Sequence, residues 1–291
     1  LHIPWRISRS GNKNIFKLFL SLFRLIFIFR TLKPKLVHSH TLKTNFLATI
    51  ASFFLGIPCV LSFAGLGQIS RSKGIKRFFI IFVLKIISFL SFKQLSRELF
   101  SINFKRTKFI FQNKEDMFFI ERVFKNIPED SKFLIYGSGV PKEYLKKNKE
   151  LYWQSKSLLK NLDIKCNLIY SGRLLKSKGI IDFIKISEYF KSYKSFVFGG
   201  LDPSSQDSLN AKELKDFRSL YKNIKFYGVQ KNPLMRKFNN FPILIVPSIY
   251  GEGLPRGILE AMILNIPVVS SKEASCNFFD DSMIYIAENN S

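Results

Sequence analysis

The chain has 291 residues, 46% of them hydrophobic, enough for two domains with real cores. It carries 46 Lys and Arg against 21 Asp and Glu, a formal net charge of +25 at pH 7. Its cysteines, Cys59, Cys166 and Cys276, lie far apart with no CxxC spacing, which argues against a disulfide framework or a zinc site and for a reducing compartment. No DxD or HExxH motif is present, so no divalent-metal site is expected. The charge is uneven: sixteen Lys and Arg, from Arg6 to Arg97, precede the first acid, Glu98. A bias toward Lys, Phe, Ile and Asn explains part of that excess, but a basic first third also suits a polyanion or an anionic membrane.

The chain begins at Leu1, ends at Ser291 just after an expected strand, and shows no signal peptide, and it reads as an internal fragment of a longer protein. Ile15 to Phe29 is apolar but interrupted by Lys17 and Arg24, and Phe78 to Phe92 contains Lys85. Both fall short of the roughly 18–20 apolar residues that a membrane span needs. Lys35 to Ser39 is an expected strand ending in His40-Thr41, and Lys43 to Leu55 an expected helix. Gly56-Ile57-Pro58 then breaks the apolar run before a strand, Cys59 to Phe63, followed by Ala64-Gly65-Leu66-Gly67. The basic, aromatic segment Lys73 to Lys93 fits equally a helix in a membrane interface and a core helix with solvated lysines.

Further strands are expected at Lys108 to Gln112, before Asn113, and at Phe133 to Tyr136. Gly137-Ser138-Gly139-Val140-Pro141 and the lysine-rich stretch to Lys149 read as an interdomain linker. In the second half, Leu168 to Tyr170 leads into Ser171-Gly172-Arg173, and a helix runs from Lys178-Gly179 to about Lys191. Phe196 to Phe198 ends in Gly199-Gly200, and Ile224 to Tyr227 ends in Gly228. Phe241 to Val246, Ile266 to Ser270 and Met283 to Ala287 complete the strands. Short apolar runs alternating with helices imply a parallel sheet in each half, with sites at the strands' carboxyl edge.

The richest stretch follows Val246: a Gly-rich loop containing Glu252, then a helix opening near Pro255 and carrying Glu260 about two turns in. Helix N-termini at a sheet's carboxyl edge bind anions. The spacing alone fits an ordinary βαβ unit with a surface Glu equally well.

Together these segments resemble the retaining GT-B glycosyltransferases of family 4, most closely the branch that builds capsule, O-antigen or polyprenyl-linked glycans. The resemblance runs through Val37-His38-Ser39-His40-Thr41, Ala64-Gly65-Leu66-Gly67, Phe111-Gln112-Asn113, Gly137-Ser138-Gly139-Val140, Gly172-Arg173-Leu174-Leu175-Lys176-Ser177-Lys178-Gly179 and Val246-Pro247-Ser248 to the two glutamates. It implies two Rossmann-like α/β domains facing across a cleft, both truncated. An acceptor-side domain is expected over 1–140, a linker over 141–160 and a nucleotide-sugar-binding domain over 161–291.

By resemblance, Arg173 and Lys178 neutralise the leaving diphosphate, aided by the backbone N–H groups of Gly253, Leu254 and Arg256 where the helix starts near Pro255. Glu252 contacts the donor sugar and supports positive charge at its anomeric carbon, Glu260 accepts from the ribose hydroxyls, and Gly228 and Val229 underlie the base. His40, Gly65 and Asn113 are the acceptor-side candidates. The resemblance implies no metal and no cofactor, transfer of a hexosyl or N-acetylhexosaminyl group from a nucleotide-diphosphate sugar such as a UDP-sugar, and a polyprenyl-diphosphate-linked saccharide as acceptor. It also implies an anionic membrane partner, with the protein peripheral on the cytoplasmic face of a bacterial inner membrane and no nucleic acid bound.

The chain departs from the family pattern in three places. Ala64 stands where many members carry a histidine, Pro141 where they carry an aspartate, and the first strand with its Gly-rich loop and the last helix are missing. The last departure puts the folding and activity of this stretch alone in question. Two rivals stay open: a basic nucleic-acid-binding protein, and a non-catalytic membrane-surface relative of the family.

Overall fold

The computed structural model describes residues 15–63, 66, 74–98, 107–125, 127–137, 139–145, 165–249, 253–275, 278–279 and 282–287, with backbone alone for 15–17, 76 and 92–98. The chain divides into two units, Leu1–Tyr136 and Gly137–Ser291.

The first unit holds helix α1 (Ile15–Leu32), strand β1 (Val37–His40), α2 (Leu42–Leu55), β2 (Cys59–Phe63), α3 (Gly74–Glu98), β3 (Lys108–Phe111), α4 (Lys114–Phe124) and β4 (Lys132–Leu134). Its strands form a parallel sheet in the order β1-β2-β3-β4. Gly56 ends α2 in the left-handed region (φ 67°), its N–H donating to the Ser52 carbonyl, so the apolar run turns back as strand β2. Leu61, Phe63, Phe109 and Phe111 from the sheet meet Leu84 and Ile87 of α3 and Ile120 of α4 in one core. Phe63 and Phe111 stack with ring centroids 5.7 Å apart. Cys59 sits in this core, and burial pushes its thiol up to about 11, so it is a packing residue and not a nucleophile.

The second unit holds β5 (Cys166–Ser171), α5 (Ile180–Tyr189), β6 (Lys194–Phe198), α6 (Ala211–Leu220), β7 (Ile224–Gly228), β8 (Phe241–Val246), α7 (Arg256–Ile263), β9 (Val268–Ser271), the short α8 (Lys272–Ser275) and β10 (Tyr285–Ala287). All six strands are parallel, in the order β10-β9-β8-β5-β6-β7. Side chains alternate across this sheet. Leu168 and Tyr170 of β5 and Ile245 of β8 pack with Phe183 and Ile184 of α5. Ile169 and Leu244 face the other way, onto Ile258 and Ala261 of α7. Both faces are covered, as an all-parallel sheet requires.

The expected strands are present with ends shifted by one or two residues, and the helix expected to reach Lys191 ends at Tyr189. Helices α1, α4, α6 and the short α8 were not anticipated. Asn113 caps α4, its side chain accepting from Asp116 N, and Asn210 with Glu213 forms a reciprocal capping box at the start of α6. Among the described residues, no helix is long and apolar enough to cross a membrane.

Candidate donor-binding edge

Sites in a parallel sheet gather where strands end and helices begin. In the second unit that edge is built by the turns after β5, β6, β7 and β8. They are tied by backbone hydrogen bonds from Gly172 N to Phe198 O (2.9 Å), Gly199 N to Gly228 O (2.8 Å), Leu174 N to Gly200 O (3.0 Å) and Ile249 N to Ser177 O (3.0 Å). Two glycines allow the turns to touch. A Cβ on Gly199 would lie 1.7 Å from the Gly172 carbonyl oxygen. Gly179 is left-handed (φ 73°), and a Cβ there would lie 1.9 Å from the Pro247 oxygen. The turn after β5 and the turn after β8 are thereby held together, although they are separated by some seventy residues of sequence.

The turn after β5 is cationic. Arg173, Lys176 and Lys178 fall within six residues, and the Lys178 stem reaches back beside Gly172. The excursion between β6 and α6, together with the first turn of α6, braces this turn with three acids. Arg173 Nη1 pairs with Asp202 Oδ2 at 2.7 Å, Lys176 Nζ with Glu213 Oε1 at 2.8 Å, and Ser177 donates to Asp207 from both its N–H and its hydroxyl. Hydrogen bonds from Ser204, then from Arg173, hold the Asp202 carboxyl below its ordinary value, and the Lys176 ammonium does the same for Glu213. Arg173 keeps 56% of its side-chain surface exposed, so its guanidinium is paired yet accessible.

Glu260 lies on the same edge, in the helix that follows β8. Helix α7 is eight residues long and opens after Pro255, which is the residue before the first helical position. Glu260 is therefore its fifth residue, one turn in rather than two. Its side chain is 5% exposed, and the two carboxylate oxygens differ. Oε2 accepts from the Tyr144 hydroxyl at 3.1 Å. Arg256 Nε stands 2.8 Å from Oε1 as an ion pair, yet the N–H is not aligned on that oxygen, which accepts no hydrogen bond among the described residues. A buried carboxylate oxygen without a donor is costly unless something supplies one.

Other expected residues fall differently. Gly228 is left-handed (φ 72°) at the end of β7, and Val229 beside it is 81% exposed and lies against Gly200. Leu254 packs against Gly137 and into the second unit's core, and Pro255 is buried. Glu252 and Gly65 lie outside the described residues. In the first unit, His40 is exposed at the end of β1 with its ring 4.3 Å from that of His38. Asn113 is 4% exposed, and its side chain is spent on Asp116, which in turn accepts from Leu66 N. Asn113 is thus a helix cap that anchors the loop after β2, a role its place before Lys114-Glu115-Asp116 could have signalled. Tyr144, Asp202 and Asp207 carry no local motif, whereas Glu213 could have been signalled by its capping-box spacing from Asn210. Among the described residues, no group of three or more His, Cys, Asp and Glu could hold a metal ion.

The two parallel-sheet units match the GT-B architecture of glycosyltransferase structures. Anabaena HepE, solved in complex with UDP, superposes with a TM-score of 0.64 at 17% identity over 93% of this chain and 68% of its own. Sucrose-phosphate synthase of Thermosynechococcus elongatus superposes with a TM-score of 0.67 at 16% identity, over 100% of this chain and 72% of its own. At these identities the likeness is one of fold.

Residues 154–277 match the family Glycosyl transferases group 1. An uncharacterized glycosyltransferase of Methanocaldococcus jannaschii is 30% identical over 166 residues, 56% of this chain. That match spans 39% of the archaeal protein's length.

Proposed function

We propose that this protein is a retaining glycosyltransferase that moves a sugar from a nucleotide-diphosphate donor to a polyprenyl-diphosphate-linked saccharide. The observation that carries this reading is the buried Glu260 carboxylate with one oxygen lacking a donor, set on the same sheet edge as a cationic turn. A ribose offers hydroxyl donors and a diphosphate offers negative charge, so a nucleoside diphosphate complements both. The group 1 domain match and the HepE structures with UDP and with UDP-glucose support a UDP-sugar, with a hexosyl or N-acetylhexosaminyl group transferred. We assign the enzyme to family 4, in the capsule and O-antigen branch, on the motifs given above.

In this mechanism Arg173 and Lys178 neutralise the leaving diphosphate, as a fork of donors and a point charge. The N–H groups opening α7, between Gly253 and Arg256, add to that field, and Leu254 and Pro255 shape the turn. Glu252 supports the developing charge at the anomeric carbon, and Gly228 and Val229 lie under the base. The acceptor oxygen attacks the face that the phosphate leaves, so the C–O bond to phosphate breaks as the new C–O bond forms, and the acceptor's proton passes to the departing phosphate. Charge stabilisation is assigned to protein cations on the family resemblance given above.

The first unit, Leu1–Tyr136, takes the acceptor side, with His40 and Gly65 as candidates, and the second, Gly137–Ser291, takes the donor. Tyr144 contributes to the donor unit's core. An anionic membrane surface, the cytoplasmic face of the inner membrane, suits the first unit. Phe19, Phe23 and Phe27 of α1 and Phe78 and Phe82 of α3 are exposed beside Arg24, Arg30, Arg77 and Lys85. An apolar groove of about 470 Å³ lies among α1, α2 and α3, lined by Leu22, Leu47, Ile50, Val83 and Ile86.

The test is transfer from a panel of UDP- and GDP-sugars to a polyprenyl-diphosphate-linked saccharide, measured on the full-length protein. Transfer with retained anomeric configuration is expected. No transfer from any donor, together with tight salt-sensitive binding to DNA, would leave the nucleic-acid reading in its place.

A further inference from the structure

We infer that Tyr144 is a positioning residue for Glu260, and that its hydroxyl leaves Oε1 as the oxygen which meets the nucleotide's ribose. This rests on the donor-binding reading above. Tyr144 sits 116 residues upstream of Glu260 in sequence, on the stretch with which the chain enters the second unit. Its side chain is fully buried in the core that also holds Ile258 and Ala261 of α7. A buried Tyr hydroxyl needs a partner, and this one donates to Glu260 Oε2 at 3.1 Å. Burial and the Glu260 charge both raise its pKa, so the hydroxyl stays protonated and remains a donor.

The consequence is a division between the two carboxylate oxygens. Oε2 is fixed by Tyr144, which sets the plane of the carboxylate. Oε1 is paired in charge with Arg256 but accepts no hydrogen bond among the described residues, so its whole accepting capacity is left for a ligand donor. A ribose hydroxyl completes it. Without the Tyr144 hydroxyl the carboxylate can turn, and Arg256 can align on it and compete with the ribose.

The test is calorimetric titration of the full chain with UDP and GDP and with their 2′-deoxy and 3′-deoxy analogues. The proteins are wild type, Tyr144→Phe, Glu260→Gln and the double variant. Tyr144→Phe is expected to weaken the preferred nucleotide about tenfold and to shrink the penalty for the missing ribose hydroxyl. In the Glu260→Gln background the same change should cost less than twofold, because the group it positions is already altered. Tyr144→Phe that lowers the melting temperature but leaves affinity and deoxy discrimination at wild-type values makes Tyr144 a packing residue only, and the inference fails. Equal, additive losses in the double variant overturn it too. If wild type binds neither UDP nor GDP, the donor-binding reading itself fails and this inference falls with it.

Discussion

At the scale of single residues, the account turns on charge that is held but still available. Arg173 is paired with Asp202, and Lys176 with Glu213, on a turn that the proposal gives to the diphosphate. Arg173→Ala should lower kcat by about 10²–10³-fold, the range seen when one preorganised charge-stabilising donor is lost. Steady-state kinetics on the full-length protein checks this, and unchanged turnover removes Arg173 from the site. The pairs also predict a pH response. Asp202 and Glu213 have depressed pKa values, so their contribution to stability is present above the ordinary carboxylate range of about 4 and is lost as pH falls through their lowered values. Thermal melts from pH 7 down to pH 2 should therefore show no loss from these groups near neutrality. In Asp202→Asn the acid limb should be shallower.

Glu260 was legible because a Gly-rich loop and a helix start surround it in sequence. Its partner Tyr144 was not, because a contact across 116 positions leaves no local signature. Asp202 and Asp207, which brace the cationic turn, were missed for the same reason.

At the scale of elements, tight turns carry the site, and two glycines separate two costs. Gly179 and Gly228 are both left-handed, at φ 73° and 72°. A Cβ on Gly228 meets nothing within 4 Å, whereas one on Gly179 collides with the Pro247 carbonyl. Gly228→Ala should cost about 1 kcal/mol, the backbone term alone. Gly179→Ala should cost distinctly more and also weaken nucleotide binding, because the turns after β5 and β8 must part. Chemical denaturation and UDP titration of the two variants decide this, and equal costs would show that the close approach is unimportant.

Most strands were legible as short, largely apolar runs closed by glycine or small polar residues, as strands covered on both faces are, whereas β1, Val-His-Ser-His, alternates buried and exposed residues. Helices α4 and α6 were not, because charged residues break up their apolar runs and only their caps, Asn113 and Asn210, announce them.

At the scale of the molecule, an acid-poor first third coincides with helices that expose aromatic side chains. Among the described residues of α1 and α3, large apolar and cationic side chains share the surface. This favours adsorption to anionic lipid. The chain should sediment with vesicles containing phosphatidylglycerol and not with neutral phosphatidylcholine vesicles, and high salt should weaken the capture. Phe78→Ser with Phe82→Ser should reduce it severalfold, and equal binding to both vesicles argues against charge. The two-unit α/β plan was readable from the alternation of strands and helices. The placement of 137–145 with the second unit was not, because its glycines and lysines look like a linker while the buried Tyr144 decides where it packs.

Titration of the chain with UDP and GDP, beside its Glu260→Ala and Arg173→Ala variants, shows whether the carboxyl edge of the second sheet binds a nucleoside diphosphate. The account predicts binding of one of them by wild type and at least tenfold weaker binding by each variant. No binding by wild type, or the same affinity in all three proteins, contradicts it.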